Sequence, residues 1–111
     1  MPHNVPASDW KTFRELREVA LQRFCKRVLE ELLALVRDES RNHHERYLAA
    51  FRLIQERDEE LARAFNNPAR SRMLVQLAAI HGLGLFSPGE LARFTEETRG
   101  FIEPPAKGST R

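Results

Sequence analysis

From residue 9 to residue 66 the chain contains neither glycine nor proline. A stretch of that length, rich in Leu, Ala, Glu and Arg, favours helix over strand. Those residues lose little side-chain freedom in a helix, and none of them interrupts its hydrogen bonds. The expected fold is therefore all-α, built on a long antiparallel helical hairpin. The 6 prolines and 5 glycines lie near the two ends and in residues 68–108, where they punctuate shorter elements.

Apolar periodicity places the hairpin's two arms. Trp10, Phe13, Leu16, Ala20, Phe24, Val28, Leu32 and Val36 recur at spacings of three or four, which defines a first helix over about 9–38 with Ser8 or Asp9 as its cap. From Leu16 onward the step is four, slightly more than one turn, so the apolar row rotates as it runs. In the second half Val28, Leu29, Leu32, Leu33, Leu35 and Val36 spread over more than half the circumference. One neighbouring helix cannot cover that arc. Val28, Leu29, Leu32, Leu33 and Val36 are accordingly the candidate interface residues, to be covered by two helices of the same chain or by a second chain.

The polar residues 38–44 form a turn, and a second helix follows over about 42–66. Its seam is Tyr47, Phe51, Ile54, Asp58, Leu61 and Phe65, in alternating steps of four and three that suit antiparallel packing on the first helix. Asn67 is the expected cap of a third helix at about 68–81, with Pro68 at its first position. That helix is apolar almost all round and is expected to be the most buried element. Ser87-Pro88-Gly89-Glu90 forms a capping box for a short fourth helix at about 88–99. Residues 1–7 read as a flexible arm, 8–102 as a single helical domain and 103–111 as a disordered tail.

Charge narrows the function. Lys and Arg number 18 against 16 Asp and Glu, for a net charge of +2 with the signs interleaved. A nucleic-acid-binding domain would gather its positive charge on one face. Arginine outnumbers lysine 15 to 3. That excess suits phosphate recognition, although a coding bias is the plainer reading. Arg14, Arg17, Arg23, Lys26 and Arg27 scatter around the first helix and are interrupted by Glu15 and Glu18. Cys25 is the single cysteine, so no intrachain disulfide forms, and its place beside Phe24 and Val28 suggests a small buried hydrophobe. With no signal-peptide core and no long apolar run, the chain reads as cytosolic with no membrane partner.

No catalytic or cofactor-binding motif is present, and no metal site is assigned. His43-His44-Glu45 hints at metal, but adjacent histidines on a helix point about a quarter-turn or more apart, so a solvated turn is the expectation. Asp58 interrupts an apolar seam. A buried carboxylate must be paired or protonated, so Asp58 is expected to meet Arg72, His81 or an arginine of the first helix. Such a contact fixes register or marks a ligand site.

The primary expectation is a non-enzymatic protein–protein interaction or regulatory module, homodimeric or docked on another protein. One alternative is a nucleic-acid-binding regulator using residues 73–99, which have the outline of a helix-turn-helix. A second is a ligand-binding bundle centred on Asp58 and His81.

Overall fold

A computed structural model describes residues 5–102, and every regular element among them is helical. The first, α1 (Ala7–Val36), runs unbroken for 30 residues, or roughly 45 Å at the standard rise. It starts at Pro6, whose carbonyl accepts from Trp10 N–H at 3.0 Å, and no side chain caps it. Neither Ser8 nor Asp9 fills the expected role. Asp9 lies within the first turn and points across to the far end of the chain.

The reversal between the arms is built from polar side chains. Asp38 accepts from the backbone and the hydroxyl of Ser40, at 3.0 and 2.6 Å. Asn42 and Glu45 form a reciprocal capping box at 2.8 and 2.9 Å, which starts α2 (His43–Phe65). Three contacts fix the antiparallel register. Arg46 donates to the Val36 carbonyl at 2.7 Å, Arg57 pairs with Glu31 at 3.0 Å, and the rings of Phe24 and Phe65 stand 6.0 Å apart.

The third helix begins later than the sequence suggests. Asn67 takes φ of 52°, a left-handed conformation that asparagine tolerates, and turns the chain instead of capping it. A single 3-10 turn (Arg70–Arg72) then leads into α3 (Met73–Gly82). Gln76 reaches back to donate to the Asn66 carbonyl at 2.7 Å and holds this corner. Only one face of α3 is covered: Met73, Gln76, Leu77 and Ile80 are buried, while Val75 on the opposite side is 73% exposed. The expectation of burial all round fails because no further element among the described residues packs behind it.

Gly84, with φ of +72°, makes the next turn. The Ser87–Glu90 capping box with Pro88 starts α4 as predicted, but the helix lasts only from Pro88 to Leu91. The expected single helix over 88–99 is two pieces, α4 and α5 (Glu96–Ile102). The break has a visible cause. Thr95 N–H, which a continuous helix would direct at Leu91, donates to the Asp9 carboxylate at 3.0 Å.

The core sits at one end of the molecule. Phe13, Leu16, Ala20 and Phe24 of α1 meet Ala64 and Phe65 of α2, with Met73, Leu77 and Ile80 of α3 and then Leu85, Leu91, Phe94 and Ile102 closing over them. Burying one such side chain contributes about 1.5–3 kcal/mol. Val5 is also buried, and its carbonyl accepts from Arg70, so the packed unit reaches into the expected N-terminal arm. Residues 1–4 and the expected tail at 103–111 lie outside the described residues. Buried residues of α1 stop at Val28, and those of α2 are confined to Ala64 and Phe65. Beyond that level the hairpin projects as two helices with no other described element beside them.

Candidate functional site

The projecting half of the hairpin carries the feature that the core does not use. Leu29 (60% exposed), Leu33 (48%) and Val36 (48%) of α1 stand open, as do Tyr47 (67%), Phe51 (55%) and Ile54 (43%) of α2. Scattered apolar side chains on a surface are ordinary, but six on adjoining rows are not.

The geometry of α2 explains how they come to be there. The residues that turn toward α1 are Arg46, Ala50, Leu53, Arg57, Glu60 and Ala64, all half-buried or buried. Each precedes by one position a member of the expected seam. One residue is about 100° of rotation, so the seam faces sideways and is not against α1. Its C-terminal members, Leu61 and Phe65, are covered by the core. Its N-terminal members have no helix over them among the described residues.

On α1 the same division holds. Val28 is only 8% exposed and belongs to the core, and Leu32 is half-buried in the row that meets α2. These two expected interface residues therefore face inward. Leu29, Leu33 and Val36 lie one residue's rotation away. In antiparallel helices, equal rotations from the contact rows bring both apolar rows to the same side of the pair. A shared hollow of about 320 Å³ between them confirms this, with Cys25, Val28 and Leu29 on one wall and Ile54, Asp58 and Leu61 on the other. Cys25 is half-buried in that wall, not enclosed as expected.

Asp58 consequently needs no buried partner. It is exposed at the edge of the hollow and makes no ion pair among the described residues. The expected cluster of Asp58, His81 and Arg72 does not form. Arg72 is exposed and donates to the Asn67 carbonyl at 3.0 Å. His81 is half-buried on α3, with Nδ1 enclosed and unpartnered.

Among the described residues the buried carboxylate is Asp9, at 1% exposure. It accepts from Thr95 N–H at 3.0 Å and from the hydroxyls of Thr95 and Thr98, each at 2.6 Å. The sequence held a signal for it: Asp9 stands four positions before Phe13, on the core row itself.

The arginines are largely engaged with the protein's own backbone. Arg17 donates to the Phe65 carbonyl at the end of α2. Arg27 reaches the Leu83 carbonyl at 2.8 Å, just past the end of α3, and Arg23 reaches the Leu85 carbonyl at 2.8 Å. Arg23 also grips Glu90 with both nitrogens at 2.6 and 2.7 Å. That bond holds the Glu90 carboxyl down at about 2 against an ordinary 4.5, with the Ser87 amide assisting. Three basic residues of α1, Arg17, Arg23 and Arg27, thus hold backbone carbonyls of other segments, and α4 is only four residues long.

His43 contacts Arg46 at 2.8 Å, and His44 stacks on Tyr47. Among the described residues no group of three or more His, Cys, Asp or Glu is placed to hold a metal ion. None of their helices is long and apolar enough to cross a membrane. No protein-family model, curated protein or solved structure matches the chain.

Proposed function

We propose that the protein is a non-enzymatic protein–protein interaction module that works as a homodimer through the open face of its hairpin. The observation behind this reading is the set of six exposed apolar side chains, Leu29, Leu33, Val36, Tyr47, Phe51 and Ile54. At those exposures they leave on the order of 700 Å² accessible, close to the ~800 Å² that each partner contributes to a standard interface. Two hairpins joined on this face make a four-helix bundle, in which each arm gains a neighbour that the described residues of its own chain do not supply.

Light scattering at low micromolar concentration tests the reading. The expected mass is twice 12.9 kDa. Leu33→Glu, at a position already 48% exposed, should return the protein to 12.9 kDa with its helix content intact. A wild-type mass of 12.9 kDa up to tens of micromolar would overturn the proposal.

A further inference from the structure

We infer that Asp58 holds the hairpin's self-association in check. Its carboxylate stands inside the contact face, and closing the dimer takes it out of water. This rests on the homodimer reading and deepens it.

Placement comes first. Asp58 stands on the open row of α2, about one turn beyond Ile54 and one before Leu61. It lines the hollow of about 320 Å³ together with Ile54 of its own helix and with Leu29 of α1. The Glu31–Arg57 pair fixes the level of one helix against the other, which brings Asp58 to within about a turn of the level of Leu29. Two of the six exposed apolar side chains therefore bracket it. A second copy that seats on Leu29 and Ile54 covers Asp58 as well. Nor can the interface do without those two. They carry roughly 30% of the surface that the six leave accessible, and the other four fall well short of a standard interface.

The protein's own groups do not relieve the cost. Arg57, the guanidinium in the same hollow, is committed to Glu31 at 3.0 Å and to Glu60 at 2.9 Å. The Cys25 thiol on the facing wall is only a weak donor. Asp58 makes no ion pair among the described residues. Asp9 shows what a buried carboxylate receives in this fold: three donors, from the Thr95 amide and the hydroxyls of Thr95 and Thr98. Nothing comparable faces Asp58.

An ionised carboxylate carried into an apolar contact either loses its hydration or keeps water in the hollow. Both subtract from the gain of covering the six. Neutralising Asp58 without changing its shape should therefore strengthen the dimer. A carboxylate left in water at the rim would give no change. One that met a cation of the other copy would make the same substitution weaken the dimer.

Sedimentation equilibrium measures the dissociation constant that decides. Asp58→Asn is nearly isosteric and should lower it about threefold to tenfold. Asp58→Leu also adds apolar surface and should lower it about tenfold or more. Glu59→Gln removes the same charge from the next residue. Glu59 directly precedes Glu60, a member of the row against α1, and so turns to the opposite side of the hairpin. That variant should stay within about twofold of wild type. Equal tightening by Asp58→Asn and Glu59→Gln would trace the effect to net charge and overturn the inference. Unchanged or weaker binding by Asp58→Asn would overturn it too, and a doubled mass abolished by Leu33→Glu would then leave the homodimer standing. A wild type that stays at 12.9 kDa up to tens of micromolar removes both.

Discussion

At the scale of single residues, two aspartates stand on apolar rows with opposite outcomes. Asp9 and Asp58 each occupy a position where helical spacing calls for a hydrophobe. Asp9 is buried because Thr95 and α5 fold across it and supply three donors; Asp58 is exposed because no described element covers its part of α2. The row is legible in a sequence, but what lies above it depends on contacts between residues more than eighty positions apart. Removing the Asp9 carboxylate strands two hydroxyls and an amide. Asp9→Ala should therefore cost about 2–4 kcal/mol in urea denaturation, with Asp9→Asn intermediate. A loss under about 1 kcal/mol would show that water replaces the carboxylate without penalty. Arginine serves the backbone at this scale too: among the described residues six donate to backbone carbonyls, three of them at or just past the ends of α1, α2 and α3.

At the scale of elements, both long helices follow from their periodicity, and their ends agree with the sequence to within a few residues. Two features were hidden. The α2 seam is real but turned by one residue, because the half-buried row one position earlier, which includes Arg46 and Arg57, is the one that reaches α1. The fourth helix is broken by a donor captured from outside it, which no local propensity reports. The cap of α4 did follow from its four residues, and it gives a pH-dependent prediction. Glu90 titrates near 2 in the folded protein and at about 4.5 when unfolded. Its contribution is complete above 4.5 and is lost as pH falls through about 2. The stability gap between wild type and Glu90→Gln should therefore shrink across that window in thermal melts. A gap that stayed constant would place the effect in packing and not in charge.

At the scale of the molecule, stability is unevenly distributed. Among the described residues one end holds the buried apolar side chains, and the other is a pair of helices with an open flank. Amides in the first half of α2 should exchange with solvent faster than those of α1 between Phe13 and Phe24, and should gain protection as protein concentration rises. Protection independent of concentration would contradict self-association. The long-range bonds also impose an order on folding. The reversal at 38–42 is local and closes early, whereas Asp9 cannot be satisfied until Thr98, 89 residues later, has arrived. During synthesis the hairpin therefore precedes the core. Its sticky flank is displayed while the chain is still growing, so two nascent chains on one message have the chance to meet before either has finished folding.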